Sequence, residues 1–223
     1  MRYAIPLVLL AALLLAATGC SGCGRGPASE TATIGEAVEV TEESAPAAPV
    51  EGEEPAADAV AYTVTENSYI GWAGRKPLGT HFGQFPSYEG TVTVRGDDLT
   101  TARADVTFSI AELTSDDTRL TGTLLNANWF NAEAHPTARF VTTSIESAES
   151  GYKVTGNLEI RGVNKSVTFP ADIQLSNGLL TVSAEFTIDR TAWGVGQGLA
   201  EDLIVNNDVA IELEVEAEVD DAA

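Results

Sequence analysis

The stretch VTFPADIQLSNGLLTVSAEFTI, residues 167–188, decides the class of fold to which this chain belongs. Apolar and polar residues alternate along both halves, which is the period of a β-strand with one buried and one wet face. Asn177-Gly178 separates the halves, and an Asn-Gly pair between alternating runs predicts a hairpin with a type I′ turn. The stretch therefore predicts two antiparallel strands that share one apolar face.

The same alternation recurs along the chain from Ala59 onward, with short turns predicted at 96–98 and 149–151. It indicates about eight strands, because the first two of the following runs can form one bent strand: 60–66, 68–74, 83–95, 101–111, 137–147, 151–160, 164–175, 179–190 and 205–217. Eight antiparallel strands lose their exposed edges when they close into a barrel. We predict an all-β, eight-stranded antiparallel barrel whose interior holds side chains or one elongated ligand.

The apolar positions of each run predict the inward face of the barrel. On five strands they are Ala104, Val106, Phe108 and Ile110; Val154, Gly156, Leu158 and Ile160; Val167, Phe169, Ala171, Ile173 and Leu175; Leu180, Val182, Ala184, Phe186 and Ile188; and Val209, Ile211, Leu213 and Val215. The alternation breaks over residues 113–136, which form one long connector. Ser115 with Asp116 and Asp117 can begin a short helix there, with Leu120, Leu124 and Leu125 on one side. Insertions of this length often serve as lids.

Residues 1–19 have the features of a secretory signal peptide, with one early cation, a short apolar run and a small-residue end. The sequence Ala-Thr-Gly-Cys at 17–20 resembles a bacterial lipoprotein box, which implies cleavage before Cys20 and acyl chains on that residue. Several chains give stable membrane anchoring. Ser21 in the next position indicates the outer membrane, so we expect a periplasm-facing, lipid-anchored protein of the cell envelope. The alternative is a disulfide or redox pair of Cys20 with Cys23.

Residues 20–58 are rich in Ala, Pro and Glu and lack aromatic side chains. Such a segment cannot bury enough surface to offset the entropy of ordering, so we predict a disordered acidic tether. Residues 59–223 are then the single folded domain. The formal net charge of −21 argues against nucleic acid as a partner, because phosphate binding needs clustered cations.

Four blocks of this domain, taken together, resemble the signature of one family. They are NSYIGWAGRKPLGTHFGQF (67–85), NANWFNAEAHPTARF (126–140), VTGNLEIRGVNKSVTFP (154–170) and FTIDRTAWGVG (186–196). In this order they resemble the YceI-like family of secreted bacterial proteins. The resemblance implies a lipocalin-like barrel with an apolar pore for a polyisoprenoid chain, such as a quinone or a polyprenyl phosphate. Dimerisation is common in that family, so a homodimer is a further expectation. Trp129 and Trp193 stand where phenylalanine is frequent, which preserves aromatic bulk.

The resemblance raises the aromatic residues above ordinary core as candidates for the pore lining. They are Trp72, Phe82, Phe85, Phe108, Trp129, Phe130, Phe140 and Trp193. Arg75, Lys76 and His81 are candidates for the pore mouth, where they would meet a polar head group. The alternative for this segment is a strand-to-strand corner in which Gly79 and Gly83 permit a bend and Phe82 and Phe85 pack inward.

No pattern in the sequence indicates catalysis or a metal. His81 and His135 are the only histidines, and a zinc site needs three or four ligands. His135 precedes a proline and is expected to pack in a loop, and Asp189 with Arg190 is expected to make a salt bridge or a turn hydrogen bond. No G-x-S-x-G elbow occurs. We therefore expect a non-catalytic protein without metal or covalent cofactor. The family resemblance implies that it binds an isoprenoid lipid or quinone for sequestration or transport. The alternative is a structural or stress-related envelope protein with a filled core.

Overall fold

A computed structural model of the chain describes residues 30–38, 59–77, 79–197 and 206–219. The predicted signal peptide, Cys20 and most of the predicted tether lie outside these ranges. No helix of the described residues is long and apolar enough to cross a membrane.

The described residues form thirteen strands, one α-helix and one 3-10 helix. The strands are β1 (Glu30–Thr31), β2 (Thr33–Glu36), β3 (Ala59–Val64), β4 (Tyr69–Lys76), β5 (Gly79–Gln84), β6 (Tyr88–Arg95), β7 (Asp98–Ser109), β8 (Thr114–Ser115), β9 (Thr137–Ser147), β10 (Tyr152–Ile160), β11 (Val163–Ser176), β12 (Leu179–Asp189) and β13 (Asp208–Val219). Helix α1 is Thr118–Leu125, and the 3-10 helix is Arg190–Trp193.

The strands close into an eight-position antiparallel barrel, as predicted. Two positions are each made of two consecutive strands: β3 and β4 both pair with β13 and act as one bent strand, and β5 and β6 continue one another beside them. The ring continues through β7, β9, β10, β11, β12 and β13. It closes because β12 pairs with β13 along its whole length, from Leu179 to Asp189. Closure removes the exposed edges that an open sheet would present.

The ends of the barrel differ. The turns that join β6 to β7, β9 to β10 and β11 to β12 are short and lie at one end, here called the base. The β4–β5 hairpin, α1 and the 3-10 helix lie at the other end, here called the mouth. At the base, Asn177 and Gly178 both have positive φ, at 53° and 78°, which confirms the predicted type I′ turn.

The segment of residues 75–85 is a hairpin rather than a loop. Strand β4 continues to Lys76, and β5 begins at Gly79 and pairs with it, so His81 and Phe82 lie in a strand. Alternation on β5 then sends these two neighbours to opposite faces. Phe82 is 58% exposed on the outside of the barrel, so the prediction that it packs inward is wrong. Phe85 is buried, as expected.

The predicted tether is wrong over residues 30–36, which form β1 and β2. Near the base, β11 and β12 pair directly, over 172–176 and 179–183. Toward the mouth they separate, and the N-terminal segment lies between them: β1 pairs with β12, and β2 pairs with residues 165–168 of β11. Ala32 is buried and Ile34 packs against the core. The segment is therefore part of the barrel wall.

The short helix in the long connector is confirmed. Asp117 is its N-cap, and its Oδ1 accepts hydrogen bonds from the backbone N–H of Arg119 at 2.8 Å and of Leu120 at 3.1 Å. Such a cap satisfies backbone donors that have no partner inside the helix. Leu124 is buried, and Leu120 and Leu125 pack against the core. The helix thus lies over the mouth with its apolar side toward the barrel.

Candidate ligand-binding cavity

A cavity of about 410 Å³ occupies the inside of the barrel. This volume lies within the range of about 300–1,000 Å³ that is typical of small-molecule sites. Its walls are almost entirely apolar, and they come from all eight positions of the barrel together with α1 and the residues around the 3-10 helix. The barrel is therefore not a solid core.

Period-two alternation builds the walls. The inward positions that line the cavity include Ala104, Val106, Phe108, Val154, Leu158, Ile160, Val167, Phe169, Ile173, Leu180, Val182, Phe186, Ile188, Val209, Ile211, Leu213 and Val215. All of them belong to the faces predicted from the sequence. A strand in a closed barrel sends alternate side chains inward, so a continuous apolar lining follows from the pattern itself.

Aromatic rings are grouped on two parts of the wall. Phe85 contacts Phe108 with ring centroids 5.0 Å apart and Phe130 at 6.3 Å. In the second group Phe169 stacks on Phe186 at 4.2 Å, and Phe140 lies at 5.8 Å from Phe169. Such rings supply large apolar area and settle at offset or tilted angles.

Residues 127–130 and 190–196 cap the cavity at the mouth. The guanidinium of Arg190 lies 5.0 Å from the centre of the Trp129 ring, a cation–π distance, and its Nη1 donates to the carbonyl of Val195. Asp189 caps the 3-10 helix by accepting from the N–H of Thr191 at 2.8 Å. The indole of Trp193 is buried and donates to the carbonyl of Leu158 at 2.9 Å. These contacts fix residues 127–130 and 190–196 at the mouth of the barrel.

The three candidates for head-group contact lie at the mouth. Arg75 and Lys76 are exposed and border the cavity, and His81 lies beside them. His81 has a partner that the sequence did not indicate: its Nδ1 is 2.9 Å from Oδ1 of Asp116 in the connector. The mouth thus brings Arg75, Lys76 and His81 together with the carboxylate of Asp116, in addition to Arg190 of the cap.

Two polar atoms in the walls have no hydrogen-bond partner among the described residues: Oγ1 of Thr142 and Nε1 of Trp72. Thr142 is 1% exposed and lies on β9, while Trp72 lies on β4. Buried polar groups are nearly always paired, so each such exception needs an explanation.

Nine of the ten ligand-contact candidates line this cavity. They are Trp72, Lys76, His81, Phe85, Phe108, Trp129, Phe130, Phe140 and Trp193. Phe82 lies outside the barrel. His135 does not line the cavity; its backbone N–H donates to the carbonyl of Asn131 at 2.9 Å in the connector. Sequence reasoning missed Thr142 and Arg190 as lining residues, although each occupies an inward position next to a predicted strand face or end.

In the described part of the chain, clusters of metal-ligating side chains are absent, and the groups with a shifted pKa lie outside the cavity lining. No group of three or more His, Cys, Asp or Glu side chains is placed there to hold a metal ion. The groups whose pKa is shifted lie elsewhere. Burial raises the pKa of Tyr88, and the hydrogen bond with Asp105 raises the pKa of Arg139. A hydrogen bond from the Thr100 side chain lowers the pKa of Asp98, and hydrogen bonds from the backbone N–H groups of Leu120 and Arg119 lower the pKa of Asp117. None of these lines the cavity.

An eight-stranded antiparallel barrel around one apolar cavity defines the lipocalin-like class of binding folds. Within that class, the chain belongs to the YceI-like domain family, whose family model matches residues 62–217. A UPF0312 protein of Photorhabdus laumondii is 29% identical over 92 residues, which cover 41% of this chain and 48% of that protein. The YceI protein of Escherichia coli is 27% identical with the same coverage. The chain thus spans about half the length of these relatives.

Solved structures share the fold over more of the chain. BcnA of Burkholderia cenocepacia is similar with a TM-score of 0.64 and 26% identity, and the match covers 69% of this chain and 98% of BcnA. A polyisoprenoid-binding domain from Saccharophagus degradans is similar with a TM-score of 0.58 over 72% of this chain and 99% of that domain. Its identity of 13% makes this second likeness one of fold alone.

Proposed function

We propose that this protein binds a long-chain isoprenoid lipid or quinone in the barrel cavity, without catalysis, and sequesters or transports it in the cell envelope. The main support for this proposal is the cavity inside the barrel. It holds about 410 Å³ of space, its walls are apolar on all sides, and its polar side chains are few and gathered mainly at the mouth. That distribution matches a ligand with a long hydrocarbon part and a small polar end.

Burial of the hydrocarbon supplies the driving force. Each methylene group removed from water contributes about 0.8 kcal/mol, so a few isoprene units give a large gross term. The cost of ordering a flexible chain and of losing its translational freedom takes back much of it. An apolar cavity that is long enough to bury several isoprene units is therefore sufficient for binding, without further polar contacts.

Family membership supports the same function. A fold neighbour from Saccharophagus degradans is described as a polyisoprenoid-binding domain, and it covers 72% of this chain. The alternative, a structural protein with a filled core, requires a barrel without internal space, and the cavity disfavours it.

The mouth favours contact with the polar end of the ligand. Arg75, Lys76 and His81 border the cavity there and can donate to a quinone oxygen or a phosphate. Asp116 lies 2.9 Å from His81 and partly offsets this positive charge. A neutral quinone head therefore suits the mouth at least as well as a diphosphate.

A lipid anchor on Cys20 remains part of the proposal, and the fold shortens the reach of that anchor. Strand β1 begins at Glu30, ten residues after Cys20 (30 − 20 = 10). A fully extended chain spans at most about 3.3–3.6 Å per residue, so the wall segment would lie within about 35 Å of the membrane surface. An anchored barrel would thus stay close to the lipids that it samples.

The test is identification of the bound amphiphile on the full chain. The protein is expressed in a bacterial envelope, purified, extracted with solvent and analysed by mass spectrometry. The matched control is Ala104→Trp, which places a bulky ring in the middle of the cavity wall. Circular dichroism and a thermal melt show whether the control still folds; if it does not, the smaller Ala104→Leu replaces it.

The expected result is one isoprenoid species at about one molecule per chain in the wild type and depleted in the control. Lipids that associate only through an anchor would appear equally in both. An amphiphile-free wild type that also fails to take up quinones and polyprenyl phosphates would overturn the proposal.

A further inference from the structure

Strands β11 and β12 are neighbours in the barrel wall but pair directly over only part of their length. Their ladder begins at the base and ends at Asp172 opposite Ser183. Carried three residues further, the same register would place Phe169 opposite Phe186, but there the N-terminal segment lies between the strands. Pro170 of β11 lies at this point and has no backbone N–H to offer a neighbouring strand. The sequence of β11 therefore favours a gap on the mouth side, here called the slot.

The segment that fills the slot is held by few contacts. β1 pairs with β12 over two residues and β2 with β11 over four, whereas β12 and β13 pair over eleven. Within residues 30–38 only Ala32 is buried, and Ile34 is partly buried against the core. A segment with so little buried apolar surface opens at a lower cost than the rest of the fold. The backbone groups that it leaves can form hydrogen bonds with water instead.

The cavity lies directly behind the slot. Val167 and Phe169 of β11 and Phe186 and Ile188 of β12 line it. The rings of Phe169 and Phe186 stack across the slot with centroids 4.2 Å apart. These rings can change rotamer without breaking a backbone hydrogen bond, as exposed and half-exposed side chains do. Release of the segment thus removes the backbone layer between the cavity and solvent on this side.

The mouth gives a different route, which is partly covered. Helix α1 lies over it, and residues 190–196 are fixed there by contacts such as the hydrogen bond from Trp193 to the carbonyl of Leu158. A long chain that enters at the mouth must pass these residues end-first. The slot is continuous with the mouth and runs down the wall from Lys165 to Ala171, which is six steps of about 3.3 Å, or about 20 Å.

We propose that residues 30–38 are a removable strand of the barrel wall, and that their release opens a lateral portal between β11 and β12 through which an elongated apolar molecule enters the cavity sideways. This inference rests on the proposed function, because it concerns access to the same cavity. It assigns the N-terminal segment a role in the rate of exchange rather than in affinity. The closed and open walls differ by a local opening, while the rest of the barrel stays folded.

A disulfide that locks the segment to β11 tests this portal. Gly35 pairs with Ser166, and a Cβ built on Gly35 lies 4.0 Å from the Cβ of Ser166. Disulfides need about 3.5–4.5 Å between these atoms, so Gly35→Cys with Ser166→Cys should form the lock. The matched control is Asp172→Cys with Ser183→Cys, which joins β11 to β12 where they already pair. Peptide mapping of each oxidised full chain verifies the intended link and excludes links to Cys20 or Cys23.

The probe is diphenylhexatriene, a neutral rod-shaped hydrocarbon that fluoresces in apolar surroundings. The three tryptophans of the chain, Trp72, Trp129 and Trp193, all line the cavity, so energy transfer from them reports probe inside the barrel. Stopped-flow mixing with the delipidated full chain gives the rate of uptake. Transfer of bound probe to an excess of lipid vesicles gives the rate of release, and an equilibrium titration gives Kd.

The oxidised lock should slow both uptake and release by about tenfold or more and leave Kd unchanged, because it removes the locally open state and not the cavity. Reduction of the disulfide should restore both rates, and the control pair should behave like the wild type in either redox state. In the opposite direction, Asn157→Ala removes two hydrogen bonds to the backbone of Val38 and should speed both rates at least about fivefold.

Other outcomes overturn the inference at different levels. If the wild type takes up no probe, the proposed function fails and the portal fails with it. If the wild type binds the probe and the oxidised lock exchanges it at the normal rate, the cavity stands, the molecule enters at the mouth, and only the portal is wrong. A lock that changes Kd without slowing release would also contradict the portal, since it would have altered the cavity itself. Should the lock fail to form, Asn157→Ala compared with Glu36→Gln decides, and equal exchange rates in these two variants reject the portal.

Discussion

Three glycines give the aromatic side chains of the cavity their positions. A Cβ built on each would overlap a ring, so the ring can lie flat against the backbone only because the residue is glycine; the pairs are Gly83 with Trp72, Gly156 with Phe140, and Gly196 with Trp129. Close approach of a ring to a strand withdraws it from the barrel axis. The positions of these three rings, all of which line the cavity, therefore depend on the glycines.

Gly83→Ala should destabilise the protein by about 1–3 kcal/mol, the usual cost of an extra methyl group in a packed site. The new Cβ would overlap both the indole of Trp72 and the carbonyl oxygen of Thr114. Gly74→Ala is the matched control, since it lies in the adjacent strand β4 and its Cβ would meet the same indole at an ordinary 3.8 Å. Urea unfolding and tryptophan fluorescence measure both variants. If both substitutions lower the free energy of unfolding equally, the Trp72 indole is not closely packed against Gly83.

At the residue scale, the sequence predicted the cavity walls well because one rule governs them. Period-two alternation holds wherever a strand has one buried face, and it identified the inward faces of five strands. It failed at Phe82, because the sequence did not show that β5 begins as early as Gly79 and sends Phe82 outward. Thr142 was missed for a different reason: threonine is common in strands, and only the structure shows that its hydroxyl is buried without a partner among the described residues.

At the scale of elements, the N-terminal segment shows how context overrides composition. The sequence of residues 30–36, ETATIGE, is too polar to form a core by itself. Strands β11 and β12 separate toward the mouth and leave unpaired backbone groups, which β1 and β2 satisfy. Only Ala32 and Ile34 contribute apolar surface. Sequence reasoning could not predict this insertion, because the acceptor edges exist only after the barrel has formed.

A side-chain clamp fixes the end of this segment, and its loss should open the segment. The buried amide of Asn157 accepts from the N–H of Val38 at 2.9 Å and donates to the carbonyl of Val38 at 2.6 Å. Asn157→Ala removes two hydrogen bonds, each worth about 0.5–1.5 kcal/mol, so local opening of residues 30–38 should cost about 1–3 kcal/mol less. Amide hydrogen exchange at Ala32 and Ile34 reports this opening.

Glu36→Gln is the control for the clamp. Its carboxylate lies 2.9 Å from Nζ of Lys165, but the Glu36 side chain is 90% exposed, and such ion pairs contribute less than about 1 kcal/mol. Because the segment completes the wall beside the cavity, Asn157→Ala should also release a bound amphiphile faster than Glu36→Gln does. Unchanged exchange rates in Asn157→Ala would mean that strand pairing alone holds the segment.

Helix α1 should loosen in acid because Asp117 caps it. Hydrogen bonds from the N–H groups of Leu120 and Arg119 lower the pKa of Asp117 from its ordinary value of 3.8. The charged form is thus favoured in the fold, so its stabilisation is complete above that value and is lost as the pH falls through the lowered pKa. Exchange of these two amides should accelerate in that acidic window.

Two variants at Asp117 separate the cap from general acid effects. Asp117→Asn keeps an accepting oxygen and does not titrate, so its helix should stay protected without the acid-dependent step. Asp117→Ala should exchange quickly at every pH. If the wild type and Asp117→Asn lose protection over the same pH range, the acid effect arises elsewhere in the barrel.

At the scale of the molecule, the barrel combines a closed wall with an interior that its own side chains do not fill. Closure requires every strand to pair on both sides, and here the N-terminal segment completes that pairing where β11 and β12 separate. On the side that faces the cavity, the wall residues have no protein atoms to pack against. Closure and fold class followed from strand count and alternation, whereas the cavity itself depends on side-chain volumes that no single residue in the sequence reveals.

A ligand that binds in the apolar cavity should stabilise the whole barrel, because all eight positions of the barrel line that cavity. A ligand that binds only the folded state at a free concentration of 100 times its Kd stabilises the fold by about 2.7 kcal/mol. For a domain of this size that corresponds to a rise in Tm of about 5–10 °C. We expect this rise when the delipidated full chain is titrated with an isoprenyl quinone, and we expect it to grow with the logarithm of concentration.

The substitution Ala104→Leu should stabilise the barrel without a ligand, because the larger side chain fills part of the same cavity. Cavity filling commonly stabilises by about 0.5–2 kcal/mol, so the ligand-free variant should melt higher than the ligand-free wild type. The quinone should then raise its Tm less, since the space for the ligand is already reduced. Differential scanning calorimetry of the two proteins, each with and without quinone, measures all four melting temperatures. An equal rise of Tm in both proteins would mean that the ligand stabilises the fold without occupying the cavity. It would then bind outside the barrel, on the surface or at the mouth.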